Sequence, residues 1–544
     1  MIEVSGLRIP LARLDGTQKS ELVACRKAVA RKLGIREGRI DHLELRKRSI
    51  DARKRSSIVL IFTVRITVRG NEAELVRNRR NNARLVETNG YRLPEPPTLS
   101  IDARPIVVGA GCAGLFCALA LASAGLQPLL VERGDDAERR TAAVAHFNKT
   151  GALDPQSNIQ FGLGGAGTFS DGKLTTGTKS PAHRLILEAL VKAGAQRRIL
   201  WDAKPHVGSD VLPDVVTNLV ARIQELGGEV RYRTSMTGLE VRNGRVVAVR
   251  LLQSGREERV FADDVVLACG HSARDVFEML RAANVEMERK TFAMGVRIEH
   301  LQKDVDRALY GRAAGHPALG AAPYKLAEHL RNGRSAFSFC MCPGGYVVAA
   351  ASEQGGVVTN GMSLSARDGA NANAALLANV FPEDLPGTDV LAGVELQRTC
   401  ERMAFGQGGG SFVAPAQLVG DFLQGVPSTA AGRVSPTYPR GVTWDAAADA
   451  LPAYAQDALR EAIPRMARKL YGFDATDAVI TGVETRSSSP VRVVRGKNLE
   501  SVSTSGLWPC GEGAGYAGGI MSAATDGLRT AEAIVSCQRI REGT

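Results

Sequence analysis

The chain has 544 residues, of which 44% are apolar and 23% charged, which excludes a disordered or fibrous protein and indicates a soluble globular one. It is too long for one hydrophobic core and predicts two to four domains. The net charge of +12 is concentrated at the start, because residues 1–100 carry 22 Lys/Arg and 11 Asp/Glu.

The sequence favours a cytoplasmic location. The apolar run Ile58–Val64 has seven residues and stops at Arg65, so it cannot span a bilayer. The start at Met1 lacks the basic and apolar regions of a signal peptide. The nine cysteines are odd in number and scattered, which predicts a reducing compartment without a disulfide framework.

Residues 1–98 are predicted to form a small basic α+β domain of ferredoxin-like type. The segment Arg46–Ser57 is dense in Arg and Lys, and it indicates either contact with nucleic acid or another polyanion, or a solvated loop or a surface facing an acidic partner domain. No aromatic platform accompanies it, which favours the second interpretation. Residues 94–97 (PEPP) read as a stiff linker at the domain boundary. The predicted elements, in chain order, are a strand at Ile2–Pro10, a helix at Glu21–Leu33, strands at Ile40–Leu45 and Ile58–Val68, and a helix at Glu72–Arg80.

The strongest motif lies in residues 105–133. A short apolar run precedes Gly109, Gly111 and Gly114 in G-x-G-x-x-G spacing, and an alanine-rich segment and a second apolar run lead to Glu132. The first glycine makes the turn off the strand, the second lets the backbone approach a pyrophosphate, and the third lets the helix lie close to the sheet. Glu132 can accept hydrogen bonds from both ribose hydroxyls and disfavours a 2′-phosphate, so we expect FAD or NAD rather than NADP.

Three later segments extend this pattern. The glycine-rich loop Asn158–Leu174 can lay N–H groups along a cofactor and leave room for a flat ring, the alternative being a flexible surface loop. Val265–Gly270 reads as a buried parallel strand ending in small residues. Leu507–Val535 reads as a strand, a glycine-rich turn and a helix whose N-terminus can face a ligand.

These stretches together resemble the flavoproteins with two dinucleotide-binding domains. More closely, the chain is similar to a bacterial FAD-dependent dehydrogenase family of that superfamily, and it is distantly similar to geranylgeranyl-reductase-like flavoproteins. The resemblance extends from the N-terminal module to the last helix. The matching stretches are SIDARK (Ser49–Lys54), GAGCAGLFCALALA, FGLGGAGTFSDGKL, FCMCPGG (Phe339–Gly345), ETRSSSPVRV (Glu484–Val493) and GEGAGYAGGIMSAATDGL.

The resemblance implies an α/β fold with a Rossmann-like FAD-binding domain of glutathione-reductase type, an inserted mixed α+β substrate domain and the N-terminal ferredoxin-like domain. The implied boundaries are 1–98 for the basic domain, 99–289 and 498–544 for the two parts of the FAD domain, and 290–497 for the insertion. No second dinucleotide motif is present, so NAD(P)H, if it reduces the flavin, must bind transiently in the cleft. A ferredoxin or a quinol is an equal alternative as donor.

The resemblance also assigns roles to single positions. The G-x-G-x-x-G glycines hold the pyrophosphate, Met236 meets the adenine through its backbone, and Gly511 and Glu512 lie at the ribityl–phosphate region, where superfamily members often carry Asp instead of Glu. The residues expected to bind FAD are Gly109, Gly111, Gly114, Glu132, Arg133, Gly164, Gly165, Gly167, Thr168, Lys173, Met236, Ala268, Gly270, Gly511, Glu512, Gly518, Gly519, Ile520 and Met521.

The residue pattern leaves the chemistry less defined. No cysteine lies in the Gly164–Lys173 loop, where disulfide reductases of the superfamily place their redox pair, so we reject that class. Cys340 and Cys342 would share one face of a strand, with buried packing favoured over a redox role. No metal site can be assembled from local spacing. The catalytic candidates are Arg486, which could grip an anion or form a structural salt bridge, and then Lys173 and Arg297.

The sequence therefore predicts an FAD-dependent oxidoreductase that transfers hydride between the flavin N5 and a small organic substrate. Two alternatives stay open: a flavin-dependent RNA-modifying enzyme that uses the basic module, and a non-catalytic flavin-binding sensor. The substrate, the electron donor and the oligomeric state are not encoded in any motif that we recognise.

Overall fold

The computed structural model describes residues 1–77, 82–87, 91, 93 and 104–542, with side chains to residue 537. The predicted PEPP linker and the 98/99 boundary lie outside the described residues, as does the end of the predicted helix Glu72–Arg80. Within the described residues, no helix is both long and apolar enough to cross a membrane.

The N-terminal module is a four-stranded antiparallel sheet with the order β2-β3-β1-β4. The predicted strand Ile40–Leu45 is longer than expected, because pairing with the next strand continues to Asp51 opposite Val59. The first half of the basic segment Arg46–Ser57 is therefore strand rather than loop. The elements are β1 (Ile2–Pro10), α1 (Gln18–Leu33), β2 (Ile40–Asp51), β3 (Val59–Val68), α2 (Glu72–Val76) and β4 (Ala83–Leu85).

The next part begins with a β–α–β unit at the glycine motif. Its helix α3 is buried over almost its whole length, because it consists of small and apolar residues. The elements are β5 (Ile106–Val108), α3 (Cys112–Ser123), β6 (Leu129–Val131), α4 (Ala137–Thr150), α5 (Ala182–Lys192), α6 (Leu212–Glu225), β7 (Glu229–Arg231), β8 (Thr234–Arg242), β9 (Arg245–Gln253), β10 (Arg256–Phe261), β11 (Val265–Leu267), α7 (Arg274–Ala282) and β12 (Met287–Arg289).

The following part is dominated by a long mixed sheet. The helix α11 continues through Pro464. The elements are β13 (Phe292–Leu301), α8 (Gln302–Tyr310), β14 (Ala327–His329), β15 (Ser335–Cys342), β16 (Gly345–Ala349), β17 (Thr359–Ser363), β18 (Asn371–Val380), α9 (Ala392–Gln407), β19 (Ala414–Leu418), α10 (Val419–Gln424), β20 (Val442–Trp444), α11 (Ala453–Ala467), β21 (Val479–Glu484) and β22 (Val491–Val493).

The chain ends with β23 (Leu507–Pro509) and α12 (Ile520–Glu542). The last strand returns to the first nucleotide-binding unit, giving a five-stranded parallel sheet with the order β23-β11-β5-β6-β7. The intervening chain forms the seven-stranded sheet β14-β15-β18-β13-β21-β19-β20. The fold is thus α/β with a Rossmann-like parallel sheet and additional mixed sheets, and the parallel sheet is completed only by the C-terminus.

Candidate functional site

The glycines of the G-x-G-x-x-G motif are of two kinds. Gly109 has φ +102°, and a β-carbon there would lie 2.5 Å from the Ala268 carbonyl oxygen. A β-carbon at Gly114 would lie 1.9 Å from the Gly109 carbonyl oxygen. Gly111, by contrast, would bring its β-carbon no closer than 3.9 Å to Gly165. Two of the glycines are needed for internal packing, and the middle one borders open space.

The glycines in and around the turn before α12 also fall into a closely packed group and an open group. A β-carbon at Gly511 would lie 2.8 Å from the Ala113 β-carbon, and one at Gly527 would lie 2.1 Å from the Ala113 carbonyl oxygen, so α12 packs closely along α3. Gly518 and Gly519 have no atom within 4 Å of such a β-carbon. The open glycines therefore lie at the beginning of this helix, as Gly111 does at the beginning of α3.

The two helix N-termini approach each other across the Gly165–Gly167 turn. A β-carbon at Gly167 would lie 3.5 Å from both the Cys112 Sγ and the Ile520 Cγ1 atoms, which belong to the first residues of α3 and α12. An α-helix leaves its first N–H groups without an intrahelical partner and has the positive end of its dipole there. Two such ends at one place form a site suited to an anion such as a pyrophosphate.

A buried arginine, Arg140, holds the loop Asn158–Leu174 through hydrogen bonds. Its guanidinium donates hydrogen bonds to the carbonyl oxygens of four loop residues at 2.7–3.2 Å. Burial lowers the pKa of Arg140 to about 10, since no carboxylate pairs with it directly. The loop also joins the motif, because the Gly164 N–H donates to the Ala110 carbonyl oxygen at 2.8 Å. Thr168 is buried and donates its hydroxyl to the Leu163 carbonyl oxygen.

Sequence reasoning missed Arg140, although a signal was present. The buried face of α4 consists of Ala137, Arg140, Val144 and Phe147, which follow one another at helical spacing. A charged residue at a position that the helix period assigns to the apolar face indicates a buried polar role.

Glu132 has more partners than expected. One carboxylate oxygen accepts the Ala110 N–H at 2.8 Å, and the other accepts the N–H groups of Gly134 and Gly162, each at 2.9 Å. The side chain thus ties the glycine motif to the start of the Asn158–Leu174 loop. The neighbouring Arg133 pairs with Asp275 at 2.8 Å, and its guanidinium lies 4.5 Å from the centroid of the Phe161 ring.

Three further predicted positions follow β11 or lie in β8. Ala268 directly follows β11, and Gly270 two residues later has no atom within 4 Å of an added β-carbon. Met236 is buried, and its backbone is paired with Leu251 in the β8–β9 ladder. Ala268 packs against the motif, Gly270 borders open space, and Met236 belongs to an antiparallel pair beyond the strand β7.

Glu512 is a partly buried carboxyl group beside the two helix starts. Burial raises its pKa to about 7, and the Gly519 N–H and Lys290 act in the opposite direction. Burial and then the charge of Glu512 raise the pKa of the Cys112 thiol to about 12. The carboxyl group is therefore half-protonated near neutral pH, whereas the thiol stays neutral.

Two of the three catalytic candidates lie in buried ion pairs. Arg297 pairs with Glu484 at 2.9 Å, and Arg486 pairs with Glu401 at 2.8 Å. Glu401 also binds Arg274 at 2.7 Å, and the charges of both arginines overcome its burial and hold its pKa well below the usual range. Neither arginine has a free face directed at a ligand; both connect elements of the fold.

The third candidate, Lys173, is different. Its side chain is partly exposed, donates a hydrogen bond to the Met341 carbonyl oxygen and lies 3.8 Å from the carboxylate of Asp171. It joins the Asn158–Leu174 loop to the end of β15, where Cys340 is exposed and Cys342 is buried.

Sulfur and metal chemistry find little support in the described residues. The cysteines there form no disulfide, and the Cys342 thiol lies 3.1 Å from the Cys340 carbonyl oxygen. No group of three or more His, Cys, Asp or Glu side chains in the described part of the chain is arranged to hold a metal ion.

Comparison with protein families divides the chain into three matched parts. Residues 103–304 match the pyridine nucleotide-disulphide oxidoreductase family, and residues 291–487 match the FAD-dependent protein, C-terminal domain-like family. Residues 1–67 match a domain of unknown function.

Among curated proteins, an uncharacterized protein of Clostridium beijerinckii is 45% identical over 532 residues, which cover 97% of this chain and 99% of that protein. Protein FixC of Rhizobium meliloti is 30% identical over 184 residues, 30% of this chain and 36% of that protein.

The solved structures that the chain matches have low sequence identity. A geranylgeranyl bacteriochlorophyll reductase-like protein from Thermoplasma acidophilum is 13% identical with a TM-score of 0.34, covering 81% of this chain and 79% of that one. The myxobacterial chondrochloren halogenase is 14% identical with a TM-score of 0.38, covering 82% and 76% of the two chains.

Proposed function

We propose that this chain is an FAD-dependent oxidoreductase related to the pyridine nucleotide-disulphide oxidoreductases, whose family model matches residues 103–304, and that it transfers hydride between the N5 of FAD and a small organic substrate. NAD(P)H or another electron donor or acceptor would bind transiently in the cleft. One observation carries this proposal: two helix N-termini with open glycines, Gly111 on one side and Gly518–Gly519 on the other, border the same space. The reaction is not disulfide reduction, because the Gly164–Lys173 loop has no cysteine.

FAD fits the groups that are present. Gly111 and the first N–H groups of α3 would hold the pyrophosphate, and Gly511 and Glu512 the ribityl–phosphate region. The N–H groups at Gly518–Met521 would face the pyrimidine ring, where a helix N-terminus stabilises negative charge. When bound, FAD supplies the hydride-accepting and hydride-donating centre, and the protein supplies position and shielding.

The remaining predicted contacts are proposed on the same basis. The loop from Gly164 to Lys173 would lie under the isoalloxazine, while Met236 would meet the adenine. Glu132 would reach the ribose with the acceptor sites that its three amide contacts leave over, since a carboxylate has about four. We also propose the division 1–98, 99–289, 290–497 and 498–544, a ferredoxin-like first domain and a cytoplasmic location.

The direct test is to purify the protein, record its flavin absorbance and screen reductants for bleaching of that absorbance. We expect a yellow protein that is reduced by a pyridine nucleotide or another donor. Gly111→Asp should fold, because its β-carbon meets no close atom, yet lose FAD because a carboxylate repels the pyrophosphate. A well-folded, colourless wild-type protein that takes up no added flavin would refute the proposal.

RNA modification is a second candidate, supported by the sheet face of the N-terminal module. A cavity of about 640 Å³ on this face is lined partly by Arg46, Lys47 and Arg84. Arg84 and Arg46, however, already pair with Glu3 and Glu44. The face therefore offers few unpaired cations to phosphates, and we expect any RNA binding by the full protein to be weak and to vanish as salt is raised. Absence of binding at low salt removes this candidate.

A further inference from the structure

A cluster of cations lies where the Asn158–Leu174 loop meets the mixed sheet. Residues 172–174 and 205–207 form a short antiparallel pair, with the Leu174 N–H donating to the Pro205 carbonyl oxygen at 2.9 Å and the Val207 N–H donating to the Gly172 carbonyl oxygen at 3.1 Å. Lys173 and His206 are therefore directly opposite each other. The loop after β17 packs on the same pair, since His206 Nε2 lies 3.1 Å from the Ser365 carbonyl oxygen.

One buried carboxylate orients two of the cations. Asp171 is 3% exposed and receives a two-pronged hydrogen bond from Arg367, with nitrogen–oxygen distances of 2.9 and 2.5 Å. Its other neighbour is Lys173, at 3.8 Å. Burial would raise the pKa of Asp171, but Lys173 and Arg367 lower it below its ordinary value, so the group is ionised. A single negative charge thus faces two positive ones.

A third cation, Lys204, has no such partner. Its side chain is exposed, and it makes no hydrogen bond or ion pair with any described residue. Lys204 directly precedes Pro205, whose carbonyl oxygen accepts the Leu174 N–H at 2.9 Å, so its backbone lies beside the segment that carries Lys173. Partial desolvation and then the charges of Arg367 and Lys173 lower the pKa of Lys204. Burial lowers the pKa of His206 as well, so His206 is neutral at pH 7. The nearby carboxylate of Asp210 is occupied by the Ser365 N–H and hydroxyl, each at 2.7 Å.

We propose that Lys204, Lys173 and Arg367 bind an oxyanion, a carboxylate or a phosphate group, carried by the substrate. The inference rests on the proposed function, because it places this anion beside the loop that would lie under the isoalloxazine. An ammonium group has three N–H donors. Lys173 donates one to the Met341 carbonyl oxygen, so two N–H donors remain for an anion. Asp171 offsets the charges of Arg367 and Lys173 only in part and leaves Lys204 unpaired, so a second negative charge entering the cluster is stabilised.

The end of β15 gives the site a second wall. The pairing of β15 with β18 is interrupted between Phe339 and Cys342, so that the Cys340 and Met341 carbonyl oxygens turn toward cations. Arg297 donates to the first at 2.8 Å, and Lys173 donates to the second. Bulges of this kind often re-aim groups beside active sites. The bulge therefore fixes Lys173, whereas Lys204 keeps its donors for the anion.

The test is calorimetric titration of inorganic phosphate and, separately, of oxalate into the FAD-loaded full-length protein. We expect saturable binding of at least one anion, and the one that binds identifies the group as phosphate or carboxylate. Lys204→Ala should weaken binding at least about tenfold, roughly the 1.4 kcal/mol of one lost charge-assisted hydrogen bond. Lys204→Arg should stay within about threefold of wild type, and the control Lys149→Ala, an exposed lysine on α4, should not change binding.

Three results would overturn the inference: neither anion binds, Lys204→Ala binds as tightly as wild type, or Lys149→Ala weakens binding equally. The flavin content of the same samples separates this failure from that of the proposed function. A protein that holds FAD but binds neither anion contradicts only the oxyanion site, whereas a protein that holds no FAD contradicts the proposed function itself.

Discussion

The nucleotide-binding part and the inserted part of the molecule are stabilised in opposite ways. Around Gly111 and Gly518 the structure is built from backbone: close packing of two helices, amide groups and space without side chains. In the inserted part, fully buried charges connect distant elements, as in the Arg297–Glu484 pair, 187 residues apart in sequence. The nucleotide-binding part depends on glycines, because the lack of a side chain allows close packing and leaves open space. The inserted part depends on complete pairing of its buried charges. Substitutions should therefore destabilise the two parts for different physical reasons.

The largest effect is expected from Glu401→Ala. Glu401 pairs with two arginines, Arg274 and Arg486, and all three side chains are at most 2% exposed. Removing the carboxylate leaves the buried Arg486 without an ionised partner and Arg274 with Glu353 alone, which we expect to cost about 3 kcal/mol of the free energy of unfolding. Urea unfolding measures the loss, and Glu401→Gln, which keeps the shape and some hydrogen bonds, should lie between the variant and wild type. A loss below about 1 kcal/mol would contradict the role of the network.

Gly114→Ala should break the nucleotide-binding part through sterics alone. The added methyl group would lie 1.9 Å from the Gly109 carbonyl oxygen, which cannot move without shifting the strand–helix turn. We expect a loss of about 3 kcal/mol in unfolding free energy together with loss of bound flavin. The matched control is Gly111→Ala, where the methyl group meets nothing closer than 3.9 Å. This control should keep near-wild-type stability and weaken only flavin binding; equal destabilisation of the two variants would show that our division of the glycines is wrong.

The nucleotide-binding part could be predicted from sequence better than the inserted part, because its motifs are local. The glycine spacing and the apolar runs around it are local, and the α/β fold with its Rossmann-like sheet followed from them. The partners of Arg486 and Arg297 could not be found, because Glu401 precedes Arg486 by 85 residues and Glu484 follows Arg297 by 187 residues, with no local pattern joining them. Lys204 gave no signal for the same reason, since Lys173 and Arg367 come from two other, separate segments of the chain.

A third prediction concerns the Glu512 carboxyl group beside the two helix starts. Glu512 has a pKa of about 7 in the folded protein against an ordinary value of 4.5, chiefly through burial. The folded protein therefore binds more protons than the unfolded chain between these values, so the stability of the flavin-free protein should fall as pH rises from about 4.5 to 7. The effect is on the order of 2 kcal/mol.

Unfolding free energies of wild type and Glu512→Gln across this pH range test the prediction. The variant has no charge to bury, so its unfolding free energy should lack this pH dependence. The unfolding free energy of wild type should therefore fall relative to that of the variant as pH rises from about 4.5 to 7, and the difference should level off above about 8. Parallel pH profiles for the two proteins would mean that Glu512 is solvated in the folded state and carries no such penalty.

The smallest effect is expected from an ion pair on the same helix as Glu401. Glu395 pairs with Arg402 on the surface of α9, with both side chains 57% exposed. Water screens this pair and the two long side chains lose freedom to form it, so Glu395→Ala should cost less than about 1 kcal/mol. The cost should shrink further when urea unfolding is repeated at high salt. Alanine has the higher helix propensity, so neither substitution on α9 loses propensity. A loss from Glu395→Ala as large as that from Glu401→Ala would therefore contradict the assignment of the larger effect to buried charge.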